Sequence, residues 1–181
     1  MANKEALKAL QQRLAQRLQD ARQQAPVRSW LAVDIAGQGF LLPLDQAGEI
    51  FSPGAVHAVP HSRAWFIGVA NLRGQLHGVV DLASFLGMPR SQPLSAGAPD
   101  AGRDPSRLVA FNAALQVNAA LWVDRLLGLR NATALQLVQL DPAGDKPPFM
   151  GQTMRDEQGR VWYELNLAAL AAEDAFLRID A

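Results

Sequence analysis

The chain has 181 residues, 49% of them hydrophobic and 19% charged, and its 17 lysines and arginines balance 17 aspartates and glutamates. That is enough apolar material for one domain or two small lobes sharing a core, while a net charge of zero offers no global field to recruit nucleic acid or an anionic membrane. With no cysteine, disulfides, thiolate catalysis and cysteine-based metal sites are excluded, which suits a reducing compartment.

Residues 3–24 place Leu7, Leu10, Leu14, Leu18 and Ala21 at three- and four-residue steps among Gln, Arg and Lys. This predicts an amphipathic helix over residues 1–26, ended by Pro26. Its narrow apolar stripe fits docking on the body or pairing with another helix, self-association included. The segment lacks the apolar core of a signal peptide. No run reaches the roughly 20 apolar residues that span a bilayer. The expectation is a cytoplasmic protein without direct membrane insertion.

From Trp30 the period becomes two. In "SWLAVDI", Leu31, Val33 and Ile35 share a face, as in a half-buried strand. "GQG" reads as a turn, and "FLLPLDQAGEIF" as the next strand, with Pro43 at an edge or bulge. "SPGAVHAVPHSRAW" has the composition of a loop. "FIGVANLRGQLHGVVDL" is a strand, a tight connection at Asn71–Gly74 and a second strand. Asp81 then caps a short helix that Gly87 and Pro89 terminate. Residues 88–106, rich in Pro, Gly, Ser and Ala, predict a mobile loop within a body spanning 27–181. "RLVAF" and "LQVNAALWVD" are strands, the latter with Leu115, Val117, Ala119, Leu121 and Val123 on one face. "LDPAGDKPPF" is a loop. "GRVWYELNL" is the closing strand, and Asn166 caps a helix over Leu167–Leu177.

The chain echoes itself. "GQLHGVVDLASFL" (74–86) overlies "GRVWYELNLAALA" (159–171), Asp81 meeting Asn166. Leu44-Asp45 aligns with Val123-Asp124, and Phe66 and Gly68 align with Phe149 and Gly151. This order of matches predicts two similar β-lobes, built as small barrels or a sandwich.

No nucleophile elbow, P-loop or dinucleotide fingerprint is present. His57 and His61 have helical ligand spacing, but Pro60 lies between them in a loop, so no metal site is expected. Asp45, Asp81 and Asp124 follow strands and read as capping or strand-end residues, so no catalytic pair and no cofactor are expected. The arginines are scattered rather than interleaved with Trp30, Trp122 and Trp162, so no nucleic-acid groove is expected. What remains is surface recognition. Trp65 and Phe66, beside a Pro-containing turn, are either interface anchors or plugs of the adjacent lobe. Arg73, in a turn flanked by Asn71 and Gly74, is either solvated or a five-donor fork offered to a partner.

Taken in order, "WLAVDIAGQGFLLPLDQAGEIF", "FIGVANLRGQLHGVVDLASFLG", "AALWVDRLLGL" and "GRVWYELNLAAL" resemble the CheW-like adaptor family, and especially its members serving type IV pilus (twitching motility) chemosensory systems. The resemblance covers residues 28–178. It implies a mainly β fold of two SH3-like five-stranded β-barrels around a shared core, with an N-terminal helix and a short C-terminal helix. It implies no enzyme activity. The partners implied are a chemoreceptor's cytoplasmic tip and a CheA-type histidine kinase, in membrane-associated arrays. Glu49, Asn71, Arg73 and Gly74 match the receptor-binding positions; Pro60, Trp65, Phe66 and Gly68 match the kinase-contacting region; Asp81 and Asn166 are structural helix caps. Gly78 stands where the family usually has proline, and the loop at 88–106 is longer than the family's. A free-standing small-ligand or peptide-binding β module and an enzyme on a double-barrel scaffold are the alternatives.

Overall fold

The computed structural model describes residues 28–90, 94, 106–138 and 146–181. The helix expected at 3–24, most of the loop at 88–106 and all of "LDPAGD" (140–145) lie outside these residues.

Strands β1 (Ser29–Ile35), β2 (Gln38–Pro43), β9 (Arg125–Asn131), β10 (Leu135–Leu137), β11 (Met150–Asp156) and β12 (Val161–Leu165) form one sheet, in the order β10-β11-β12-β2-β1-β9. Strands β3 (Ala47–Phe51), β4 (Val56–His57), β5 (Phe66–Leu72), β6 (Gln75–Val80), β7 (Arg107–Phe111) and β8 (Ala119–Val123) form the other, in the order β3-β7-β8-β6-β5-β4. Each sheet has six strands where five were expected, and each includes a very short one, β4 or β10.

Both sheets must curl. β3 and β4 lie at opposite edges, which a flat six-stranded sheet would hold about 24 Å apart. Yet the link from Phe51 to Val56 reaches at most about 18 Å. The link from Asn131 to Leu135, about 14 Å at most, imposes the same on β9 and β10.

The sheets match strand for strand. Reversing the first gives β9-β1-β2-β12-β11-β10, and each sheet contains a parallel pair at the same place: β12 on β2 and β6 on β8. In these pairs Tyr163 faces Phe40 and Gly78 faces Ala119, the register that the alignments of 74–86 on 159–171 and of Asp45 on Asp124 require together. The other echo shifts by one. Asp81 N–H donates to Trp65 O and Asn166 N–H to Phe149 O, so Phe149 is equivalent to Trp65, not to Phe66. A register irregularity in each copy, between Phe66 and Gly68 and between Met150 and Thr153, hides the offset.

Three apolar clusters follow. Trp122 with Leu72, Val79 and Leu108 fills one curled sheet, and Trp162 with Trp30, Leu41 and Met154 fills the other. The third, with Leu31, Val33, Ile35, Phe40, Val80, Leu121 and Leu165, is shared between them and roofed by the helices. Helix α1 (Leu82–Phe85) is capped by Asp81, which accepts from Ala83 N–H at 3.1 Å. Helix α2 (Leu167–Ala171) is capped by Asn166, which accepts from Ala169 N–H at 3.0 Å. Gln46 Oε1 accepts from Leu167 and Ala168 N–H, at 2.8 and 3.2 Å, satisfying two further first-turn donors.

Three sequence expectations change. "FLLPLDQAGEIF" is not one strand: a turn closed by Gln46 N–H on Pro43 O sends the chain from one sheet to the other. Leu115 and Val117 precede β8, because Asn112 caps a 3-10 turn over Ala113–Leu115. The closing helix is broken after Ala171 and resumes as α3 (Asp174–Leu177).

Candidate functional site

The β5–β6 connection is a two-residue hairpin. Leu72 pairs with Gln75 across Arg73 (φ 50°) and Gly74 (φ 86°), the left-handed pair of a type I′ turn. Asn71 Oδ1 accepts from Gly74 N–H at 2.7 Å. Glycine suits its position. Arginine at the first pays a steric cost that Asn or Gly would avoid. Its Nη1 lies 2.7 Å from Glu49 Oε1, the two side chains being 76% and 45% exposed. An ion pair so exposed adds about 0–1 kcal/mol. Neither the turn nor the ion pair therefore explains an arginine here through stability. The four positions that the resemblance matches to receptor binding, Glu49, Asn71, Arg73 and Gly74, are all exposed, and they join in two pairs, Arg73 with Glu49 and Asn71 with Gly74. Leu76 beside them is 65% exposed.

The positions that the resemblance matches to kinase contact, Pro60, Trp65, Phe66 and Gly68, separate. Pro60 is exposed, on a loop with exposed His61 and Arg63. Trp65 and Phe66, expected as possible anchors, are buried. The Trp65 ring stacks on Phe176 (5.9 Å between centroids, 7° between planes) and meets Phe85 edge-on at 5.1 Å. They are plugs of the shared core, so neither offers a surface to a partner. Gly68 is also internal: at φ 146° a Cβ would stand 2.2 Å from His57 O. The departure at Gly78 has a cause as well. A Cβ there would lie 2.8 Å from the Phe66 ring, and Gly78 N–H donates to Asn118 O, a bond proline cannot make.

Two of the weighed aspartates do meet, across a cation. Arg90 Nε donates to both Asp81 carboxylate oxygens, at 2.9 and 3.0 Å, and Nη1 to both Asp124 oxygens, at 2.8 and 3.1 Å. Burial opposes the charge on Arg90, but the hydrogen bonds and charges of the two carboxylates outweigh it and raise its pKa above the ordinary arginine value. Asp124 also accepts from Ala36 N–H at 2.6 Å. The chain Asp81–Arg90–Asp124–Ala36 thus straps one sheet to the other, and the carboxylates are spent on structure. Nothing local in the sequence marks Arg90 or Gln46 for these tasks. Among the described residues no three His, Asp or Glu side chains gather to hold a metal, and no helix is long and apolar enough to cross a membrane.

The chain is thus a curled double sheet with a shared core, a strap between its two lobes and a charged hairpin on display. The CheW-like domain family matches over residues 29–175, and the chain belongs to that family. It is 31% identical to protein PilI of Pseudomonas aeruginosa over 163 residues, 87% of this chain and 84% of that protein. It is 38% identical to a probable chemotaxis protein CheW of Rhizobium etli over 66 residues, 36% of this chain and 43% of that one. Its fold is that of the scaffolding protein TtCheW of Thermoanaerobacter tengcongensis, with a TM-score of 0.62 at 16% identity over 80% of this chain and 88% of that one.

Proposed function

We propose that this protein couples a chemoreceptor's cytoplasmic tip to a CheA-type histidine kinase, in a chemosensory system acting on type IV pili, as a cytoplasmic component of membrane-associated arrays. The observation that carries the reading is Arg73: an exposed arginine kept at a left-handed position, touching Glu49, with little to offer the fold. A guanidinium held this way presents a planar donor fork to a carboxylate or to the carbonyls ending a helix. Glu49 orients it, and Leu76 supplies adjacent apolar area. The loop containing Pro60 faces the kinase, with buried Trp65 and Phe66 as its footing. Receptor state then reaches the kinase as a coupling free energy between two sites on one protein. Zero net charge suits recognition by short-range complementarity rather than long-range steering.

The test is calorimetry of the full chain against a receptor cytoplasmic fragment and, separately, against the kinase's CheW-like domain. Arg73→Glu is expected to keep its thermal unfolding midpoint, weaken receptor binding by about tenfold or more and leave kinase binding unchanged. Wild-type protein that binds neither partner would sink the reading.

A further inference from the structure

The loop proposed above to face the kinase is held from outside the residues that match the family, which end at 175. Phe176 is buried between the Trp65 and Phe111 rings, 5.9 and 5.8 Å away and tilted from them by only 7° and 3°. Beyond it the chain pairs with the loop. Arg63 N–H donates to Ile179 O at 2.8 Å, Ala181 N–H to His61 O at 3.0 Å, and Ser62 bridges Asp180. Arg63 Nε adds a bond to Arg178 O at 3.2 Å. His61 sits at φ 58°, a conformation that costs a non-glycine residue energy and persists only where its surroundings impose it.

We infer that residues 176–181 form a latch that sets the shape of loop 60–63 and thereby tunes its affinity for the kinase. The inference rests on the reading under Proposed function for its partner, but not for the latch itself. Phe176 anchors the segment in the core. The short edge pairing transmits that anchor to His61 and Arg63. An undocked segment would leave the loop to sample many conformations, and binding would then bear the cost of ordering it.

The test combines amide hydrogen exchange with calorimetry on two variants: deletion of residues 178–181, which keeps the Phe176 plug, and Phe176→Leu, which keeps apolar bulk. Expected in both is faster exchange at Arg63 with the core amides of β5 and β8 unchanged, and about tenfold weaker binding to the kinase's CheW-like domain, with receptor binding intact. Wild-type exchange at Arg63 in the folded deletion variant overturns the latch. Faster exchange with unaltered kinase affinity overturns its role in binding. A wild-type protein with no kinase affinity removes the function reading and the partner half of this one, while faster exchange at Arg63 still upholds the latch.

Discussion

Two hairpins in this molecule share one backbone and do opposite things with it. In the β1–β2 hairpin, Ile35 pairs with Gln38 across Ala36 (φ 53°) and Gly37 (φ 82°), and Asp34 Oδ1 accepts from Gly37 N–H at 3.0 Å. The β5–β6 hairpin repeats the same register, the same left-handed pair and the same side-chain bond, from Asn71 to Gly74. The first is built inward. Asp34 is buried, its second oxygen takes Arg125 at 3.1 Å and Arg160 at 2.9 Å, and Ala36 N–H is tied to Asp124. The second is built outward, with a neutral, exposed Asn71 and an arginine at the tip. Turn geometry therefore does not decide function. The residue at the first left-handed position and the charge two residues before it decide whether the hairpin braces the fold or displays a group.

The largest expected difference lies in the bracing residues. Asp34→Ala strands two arginines and a turn N–H. The arginine side chains are 49% and 36% exposed and recover water in part, so the loss is about 2–3 kcal/mol rather than that of a fully buried pair. Asn71→Ala removes one exposed turn bond, about 0.5 kcal/mol. Urea unfolding of both variants measures the gap; equal losses would break the distinction between a brace and a display.

The tip residues sharpen it. Arg73→Asn installs the Asn-Gly pair that type I′ turns favour and relieves the left-handed strain, so it is expected to gain about 0.5–1 kcal/mol while weakening receptor binding. Ala36→Gly relieves the same strain at the inward hairpin and leaves receptor binding unaltered. Unfolding curves and receptor calorimetry on both variants check the pair. Undiminished receptor affinity in the stabilised Arg73→Asn protein would show that the arginine serves no partner.

How much of this was written in the sequence depends on how local each cause is. The caps at Asp81 and Asn166 were legible, because cap and helix are adjacent. The tight turn at Asn71–Gly74 was legible too, from two turn-forming residues between strand-like runs. The family resemblance named Arg73 and Glu49 separately, but their ion pair was not legible, since the two are distant in sequence and meet only in the folded sheet. Trp65 and Phe66 read from the sequence as either anchors or plugs because a Pro-containing loop adjoins them; what decides it is distant, since Trp65 is enclosed by Phe85 and Phe176 and Phe66 packs edge-on against Trp65. Gln46 reaching across to α2, and Arg90 joining Asp81 to Asp124, have no local signature at all. Gly78 looked anomalous until Phe66 was seen to occupy the space a side chain would need.

The smallest effect comes from a third hairpin, at β11–β12, where Asp156 occupies the corresponding place. Its Oδ1 accepts from the backbone N–H groups of Gln158 and Arg160, and its Oδ2 from Trp162 Nε1 at 2.9 Å. A little burial raises its pKa, but the bond from Trp162, the two backbone donors and the charge of Arg130 outweigh that and hold it below the ordinary aspartate value. The folded value therefore lies below the unfolded one. The resulting stability is present above the ordinary aspartate range and is lost as pH falls through the depressed folded value. Asp156→Asn removes the titration. Its stability deficit against wild type is expected at neutral pH and should shrink in acid over that window. A deficit independent of pH would mean that Asp156 acts through shape alone, as the neutral Asn71 does in the displayed hairpin.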